Sequence, residues 1–382
     1  MAISCLLVAN RGEIAIRIAR AAAGLSIRTV AIFAEDDATS LHTRVADEAV
    51  ALAGSGAQAY LDIDAIIAAA VDAGCDAIHP GYGFLAERAD FARACSDAGL
   101  TFVGPSAEHL ALFGDKARAR EAATAAAIPV FPGIDHAVTQ AQARAFFATL
   151  EPGAAMMIKA LAGGGGRGSR VVHDAGDIDA TFKRCQSEAV AAFGRDDLYV
   201  EAFMPRARHI EVQILADSSG AVTHLYEREC SVQRRFQKVI EIAPAPHLDE
   251  CLRDKIVDAA VTLARHVNYT NIGTFEFLVD ASEHSGSMPF AFIETNARLQ
   301  VEHTVTEAVT GTDIVQAQIR LADGVTLAEL GLEDSDRLRP RGFAIQTRVN
   351  LETLTADGSV KPGGGTLNIY EPPSGPGVRT DG

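Results

Sequence analysis

Gly273-Thr-Phe-Glu-Phe-Leu-Val-Asp280, followed after a polar loop by Phe290-Ala-Phe-Ile-Glu-Thr-Asn-Ala-Arg-Leu-Gln-Val-Glu302, sets single carboxylates inside two otherwise apolar strands. Thr274–Val279 and Phe290–Thr295 read as strands, because their apolar and β-branched residues suit a pleated, half-buried surface. If they form a hairpin turning near Ser285–Gly286, Glu276 lies opposite or nearly opposite Glu294. Cross-strand neighbours on one face are about 4.5–5.5 Å apart, and like charges there repel. A hard divalent cation relieves the repulsion, with Asn296 as a third oxygen donor, and phosphate oxygens usually complete a Mg²⁺ shell. The competing reading, two strand-end glutamates facing solvent, fits the apolar flanks poorly, since charged residues are rarely buried unpaired.

The polar period continues beyond the pair. Glu294, Asn296, Arg298, Gln300 and Glu302 fall at spacing two, with Ala297, Leu299 and Val301 between them. An extended segment would present metal ligands, a cation, an amide and a carboxylate on one face. That order suits a substrate anion held by Arg298 and deprotonated by Glu302. Downstream, Ala344-Ile-Gln-Thr-Arg348 alternates again and puts Arg348 on a polar face; a lone Arg there could equally be a solvated surface charge.

Upstream lies Lys159-Ala-Leu-Ala-Gly163-Gly-Gly-Gly166-Arg-Gly168. Consecutive glycines are entropically costly to order but let backbone N–H groups approach an anion. The Lys precedes the glycines and a strand follows, so this is not a Walker A loop. It reads as a hairpin folding over phosphates, with a flexible surface hairpin as the alternative. The first strand-to-helix turn, Ala9-Asn-Arg-Gly12, lacks the glycines of a dinucleotide fingerprint.

The first hundred residues alternate strand and helix: strands at Ser4–Ala9, Arg28–Phe33, Cys75–His79 and Thr101–Val103, helices at Glu13–Ala23, Ile63–Ala73 and Ala89–Ala98. Such βαβ repetition predicts a parallel sheet covered by helices. An Ala-rich helix, Asp115–Ala127, follows. Residues 134–203 hold a helix, the strands Met156–Leu161, Ser169–His173 and Leu198–Ala202, and a further helix. Residues 204–382 are richer in alternating strands; His209, Glu211 and Gln213 share one face of one of them, and Thr366–Tyr370 is the last.

The 382 residues are 48% hydrophobic, enough for two or three domains with their own cores. The formal net charge of −16 argues against a nucleic-acid partner, which needs clustered Lys and Arg. No apolar run approaches membrane-span length. No signal or transit peptide is visible, and the six scattered Cys read as reduced thiols, so the expected location is cytoplasmic.

With these features in place the chain resembles a biotin carboxylase of the ATP-grasp superfamily. The resemblance rests on Val8-Ala-Asn-Arg-Gly-Glu-Ile, His79-Pro-Gly-Tyr-Gly-Phe-Leu, Phe113-Gly-Asp-Lys116, Gly163–Gly168, Arg208-His-Ile-Glu-Val-Gln, Glu227-Arg-Glu-Cys-Ser-Val-Gln-Arg-Arg, Gly273-Thr-Phe-Glu-Phe and Arg298-Leu-Gln-Val-Glu-His303, in the family's order. It implies an α/β fold in parts: an N-terminal parallel-sheet domain over 1–114, a helical linker over 115–133, an ATP-grasp lid over 134–203, and a mixed or antiparallel C-terminal lobe over 204–382. That lobe is shorter than the family's usual one.

By the same resemblance, Lys116, Lys159, Glu201, Phe203, Met204, His209 and Gln233 would hold ATP, with Gly163, Gly164, Gly165, Gly166 and Gly168 as the lid. Glu276, Glu294 and Asn296 would hold Mg²⁺ or Mn²⁺. Lys238, Arg298, Gln300 and the Val301 N–H would bind bicarbonate, Glu302 would be its base, giving carboxyphosphate, and Arg348 would stabilise the biotin enolate that captures CO₂. Ser169 stands where the family often has Met. The phrase Ala202-Phe-Met-Pro-Arg-Ala-Arg-His209 looks most like the long single-chain acyl-CoA carboxylases. The implied partners are a biotin carboxyl carrier domain and a carboxyltransferase; the resemblance also allows a second copy of the chain. Two other readings stand beside it: a different carboxyl-activating ATP-grasp enzyme, such as a carbamoyl-phosphate synthase half, and an inactive or regulatory remnant.

The biotin itself is expected to come from outside these residues. None of the six lysines, Lys116, Lys159, Lys183, Lys238, Lys255 and Lys361, is flanked by methionines as in the family's acceptor motif. Incubation with biotin ligase, ATP and biotin should leave residues 1–382 unlabelled by intact mass; labelling of one of these lysines would refute the division of labour.

Overall fold

The computed structural model describes residues 2–134, 136–161, 168–234, 237–282, 289–356, 359–363 and 368–382. The chain builds a parallel sheet first. Strands β1 (Cys5–Val8), β2 (Arg28–Phe33), β3 (Glu48–Ala51), β4 (Ala77–His79) and β5 (Thr101–Phe102) lie in the order β3-β2-β1-β4-β5. Every pairing is parallel. Helix Gly12–Gly24 crosses from β1 to β2 and buries Ile14 and Ile18 against the sheet. The alternating reading of this region therefore holds, with β3 as an addition. That strand is short, lies at the sheet edge and is mostly exposed, so it carries no apolar pattern to read.

A smaller antiparallel sheet follows. It contains β6 (Gly133–Ile134), β7 (Met156–Ala160), β8 (Ser169–Val172) and β9 (Leu198–Ala202), ordered β6-β9-β7-β8. Helices Gln140–Phe147 and Ile178–Phe193 cover it, joining Ala143, Ile178, Phe182 and Cys185 to Met156, Ile158 and Val200 in one core. Lys159 pairs with Ser169 across the β7–β8 hairpin. Gly163–Gly166 and Arg167, between them, lie outside the described residues.

The third sheet carries the main cavity. Its six strands are β10 (Ala207–Ala216), β11 (Val222–Arg234), β12 (Gln237–Ala243), β13 (Asn271–Asp280), β14 (Phe290–Asn296) and β15 (Ala344–Thr347), ordered β14-β13-β10-β11-β12-β15 and antiparallel throughout. Period-two alternation divides its faces. Ile210, Val212, Ile214, Phe275 and Phe277 pack against Ile256, Ala260, Leu263 and Ala264 of helix Glu250–His266. His209, Glu211, Gln213, Thr274 and Glu276 therefore point to the opposite face.

The hairpin of β13 and β14 forms as expected, with Glu276 directly opposite Glu294. Its turn region, 283–288, lies outside the described residues. A bulge separates the Glu276–Glu294 pair from the Phe277–Phe292 pair, leaving Ile293 as the extra residue. In an unbroken strand Phe292 and Glu294 would share a face. The bulge lets Phe292 enter the helix-packed core while Glu294 turns to the cavity, the re-aiming that bulges produce beside active sites.

Two expectations need correction. The segment from Glu294 to Glu302 is not extended throughout: β14 ends at Asn296, the chain bends at Arg298, and Val301–Glu302 form a turn into helix His303–Thr310. Nor are residues 368–370 in a strand, while 366 and 367 lie outside the described residues. A two-stranded hairpin, β16 (Glu352–Leu354) with β17 (Val360–Pro362), precedes them. Exposed large apolar side chains gather in this region, among them Phe343, Ile345, Val349, Leu354 and Ile369. Among the described residues no helix is long and apolar enough to cross a membrane.

One glycine in β13 is dictated by packing. A Cβ on Gly273 would lie 2.2 Å from the Tyr269 Oη, itself donating to the Ile272 carbonyl at 3.0 Å in the buried aromatic cluster. Gly273→Ala must displace that ring, and overpacking of a formed core typically costs about 1–3 kcal/mol. Urea unfolding should show a lower midpoint with an unchanged slope.

Candidate active site

Sheet register sets the electrostatics. Glu294 on β14 faces Glu276 on β13, which faces Glu211 on β10, which faces Arg228 on β11. Three carboxylates thus stand side by side across three strands at the spacing where like charges repel. Glu211 and Glu276 are buried. Burying unpaired ions is prohibitive, so each must find a cation.

Lys238 supplies much of the compensation. Its Nζ lies 2.8 Å from Glu276 Oε1 and 2.7 Å from Glu302 Oε1, and it also donates to Glu211. Lys116, at the start of helix Lys116–Ala125, reaches Glu294 Oε2 at 2.5 Å. His209 Nε2 lies 2.7 Å from Glu276 Oε2. Burial pushes the Glu276 carboxyl up, but Lys238 and His209 outweigh it and hold the group well below the usual carboxylate range. The same contest, with Lys116 as the main cation, lowers Glu294. Burial works against the charge on Lys238 too, yet Glu211, Glu276 and Glu302 raise it well above its ordinary value.

Glu302 ends the series. It stands at the N-cap position of helix His303–Thr310, where its side chain makes no capping bond and instead receives Arg348 Nη2 at 2.9 Å. Burial favours its neutral form, but Lys238, Arg348 and Arg228 bring its pKa down to about 2. Arg348 follows edge strand β15, whose pairing with β12 ends in the Arg348 N–H to Val239 carbonyl bond at 3.0 Å. Its Nε donates to the fully buried Glu241 at 2.6 Å. Arg298 donates to Asn296 Oδ1 at 2.9 Å and pairs with Glu87 of the N-terminal unit at 3.1 Å. Gln300 Nε2 donates to Glu276 Oε1 at 2.8 Å.

The other end of the cavity is less charged. Lys159 is hydrogen-bonded to Glu201, which also takes Arg120 Nη1 at 3.2 Å. Gln233 Nε2 meets His209 Nδ1 at 3.1 Å. Phe131, Met157, Phe203, Met204, Leu278 and Ile293 give this end an apolar lining suited to a flat ring.

Most of these side chains line one cavity of about 730 Å³. Lys116, Lys159, Glu201, Phe203, Met204, His209, Gln233, Lys238, Glu276, Glu294, Asn296, Arg298, Gln300, Val301, Glu302 and Arg348 all line it, and so does Ser169. Gly168 is not among the lining residues, and Gly163–Gly166 lie outside the described ones. Sequence reasoning assigned no role to Glu87, Arg120, Glu211, Arg228 or Glu241. Two of them left a trace, Glu211 as the middle residue of the polar face His209–Gln213 and Arg228 inside the quoted stretch Glu227-Arg-Glu-Cys-Ser-Val-Gln-Arg-Arg, without a role. The donor set fits a hard divalent cation: two carboxylates in register and an amide oxygen two residues on, in a wall where the acids already need positive charge.

An antiparallel sheet bearing acids and lysines above an apolar slot, with a smaller sheet beside it, is the layout of an ATP-dependent ligase of the ATP-grasp class. Residues 2–110 match the biotin carboxylase N-terminal domain family, and residues 115–330 match the carbamoyl-phosphate synthase L chain ATP-binding domain family. The β-γ-ATP complex of the biotin carboxylase of Campylobacter jejuni superposes with a TM-score of 0.90 at 39% identity, over 98% of this chain and 81% of that one. The biotin carboxylase domain dimer of 2-oxoglutarate carboxylase from Hydrogenobacter thermophilus, in complex with MgADP, ADP and bicarbonate, gives 0.85 at 41% identity, over 92% and 76%. Pyruvate carboxylase 1 of Caenorhabditis elegans is 51% identical over 379 residues, 98% of this chain and 31% of that protein. The chain belongs to the biotin carboxylase family, ligases that use ATP to carboxylate biotin. It spans about a third of the length of the curated relatives it matches. The N-terminal match weighs against the carbamoyl-phosphate synthase alternative, because the ATP-binding domain alone does not separate the two.

The lowered carboxyls make a stability prediction. A group depressed in the folded state stabilises fully above its unfolded pKa, about 4.3 for Glu, and the contribution is lost as pH falls through the folded value. For Glu302 that window runs from about 4.3 to about 2. The stability gap between wild type and Glu302→Gln should be constant from pH 7 to 5 and shrink at pH 4 and 3. Urea unfolding at those pH values checks it.

Proposed function

We propose that the cavity binds MgATP and bicarbonate, forms carboxyphosphate, and passes its CO₂ to biotin carried on a separate domain. The observation behind this reading is the adjacency of the Glu276/Glu294 pair to Glu302, Lys238, Arg298 and Arg348 on one wall. Lys116, Lys159 and His209 bind phosphates, and Glu201 to Met204 with Gln233 bind the nucleoside. Glu276, Glu294 and Asn296 hold Mg²⁺, which supplies charge neutralisation at the phosphates.

Bicarbonate enters beside Lys238, Arg298, Gln300 and the Val301 N–H. Glu302 is ionised throughout the physiological range, so it can accept the bicarbonate proton. Its own basicity is weak while Lys238 and Arg348 hold it, and an anion that draws those cations away strengthens it. The freed oxygen attacks the γ-phosphorus, the bond to the ADP oxygen breaks, and carboxyphosphate results. Arg348 is braced between Glu241 and Glu302 and offers its charge to the developing biotin enolate.

The same proposal takes residues 1–114, 134–203 and 204–382 as core domain, lid and C-terminal lobe around the linker 115–133, and places the carrier and carboxyltransferase outside them. Five of the six free cysteines are buried, which suits a reducing cytoplasm. For the carboxyl acceptor, the Ala202–His209 phrase supports an acyl-CoA, whereas the pyruvate carboxylase relatives support a 2-oxo acid. The acceptor is selected at the carboxyltransferase, so no residue of this cavity chooses between them.

ATP cleavage by the full-length natural protein should require both Mg²⁺ and bicarbonate and be stimulated by biotin, not by ammonia. Glu302→Gln should lose about 10²–10⁴-fold of the bicarbonate-dependent rate while still binding ATP. A loss below about fivefold would assign the base elsewhere.

A further inference from the structure

We propose that Arg228 is a positioning residue for the bicarbonate site, fixing the Gln300 amide with its nitrogen toward the cavity and holding Glu211 against Lys238. The inference rests on the site reading proposed above. Arg228 is fully buried on β11 and does not line the cavity. It therefore acts only through its neighbours.

Its guanidinium has five N–H donors, and each has one acceptor. Nε donates to Glu211 Oε1 at 2.5 Å. Nη1 donates to Gln213 Oε1 and Thr306 Oγ1, both at 3.0 Å. Nη2 donates to Thr274 Oγ1 at 3.1 Å and to Gln300 Oε1 at 3.2 Å. The planar fork offers these donors in fixed directions and cannot rotate without orphaning several at once.

The consequence for Gln300 is an orientation. Its oxygen is held by Arg228 and its nitrogen donates to Glu276 Oε1 at 2.8 Å. Turning the amide over would set NH₂ against guanidinium N–H and oxygen against a carboxylate. Gln300 therefore presents only donors toward the cavity, the polarity an oxyanion requires. On the other side, Glu211 gives one oxygen to Arg228 and the other to Lys238, so Arg228 keeps Glu211 in place and Glu211 aims Lys238 at Glu276 and Glu302. Thr306 ties the same cation to the helix that Glu302 precedes. One buried arginine thus joins three parts of the anion site: the amide, the lysine and the base.

The test uses the full-length natural protein and bicarbonate-dependent ATP cleavage. Arg228→Lys keeps the buried charge beside Glu211 but cannot serve all five acceptors. It should raise the KM for bicarbonate at least tenfold while the KM for MgATP stays within twofold. Arg228→Met should raise the bicarbonate KM further. In a Gln300→Ala background, Arg228→Lys should raise it by a smaller factor than in the wild type, because the path through Gln300 is gone and only that through Glu211 and Lys238 remains. An unchanged bicarbonate KM in Arg228→Lys, equal rises in both KM values, or full additivity with Gln300→Ala would each overturn the inference. A wild type without bicarbonate-dependent cleavage would remove the proposed function, and this inference with it. An active wild type beside an unaffected Arg228→Lys would remove the inference alone.

Discussion

Three glutamates in one row, Glu294, Glu276 and Glu211, are the constraint on which the site depends. Adjacent antiparallel strands hold them at a spacing where their charges repel, and at Glu211 and Glu276 burial removes the water that would screen them. No helix packing or aliphatic core can offset that arrangement; only cations can. Lys116, Lys238 and Arg228 each come from a different strand or helix. The row therefore draws otherwise separate elements onto one wall. The same need for positive charge underlies the proposed divalent-cation site and the cationic groups gathered beside it.

The row exists because two backbone details cooperate. Regular alternation would align Glu294 with Phe292 and send both into the helix-packed core. The bulge at Ile293 breaks that parity, so β14 keeps Phe290 and Phe292 in the core and still delivers Glu294 to the cavity. Gly273 lets β13 run close over Tyr269, whose ring anchors the aromatic cluster beneath the sheet. The apolar face is thus packed tightly enough to hold the polar face in register.

Charge on the wall is graded by what lies behind it. Arg228 and Glu241, both fully buried, stand behind Gln300, Glu211 and Arg348. A buried cation braces an acid and an amide; a buried acid braces a cation. Gln300 and Arg348, which line the cavity, are thereby each held by a buried partner of suitable polarity that does not line it. Such support is expected where side chains must hold position while phosphoryl and carboxyl groups change charge beside them.

Much of this was legible locally. Thr274–Val279 and Phe290–Thr295 read as two strands whose hairpin would set Glu276 opposite or nearly opposite Glu294, whereas the bulge at Ile293 that turns Glu294 to the cavity left no mark in the alternation. The βα alternation up to Val103 determined a parallel sheet, and the spacing of Arg298, Gln300 and Glu302 placed them together even though the chain bends at Arg298. The long-range pairings were not legible. The strand partner of β13 is β10, which leaves Glu211 opposite Glu276 across more than sixty residues of chain, and periodicity along one strand says nothing about which strand lies beside it. Lys116 joins Glu294, and Arg228 joins Gln300, only after the sheet has assembled. The sequence by itself determined which residues face the same way along each strand. Tertiary structure alone decided which faces meet, because like charges become a site only when folding brings them, and their cations, to the same place.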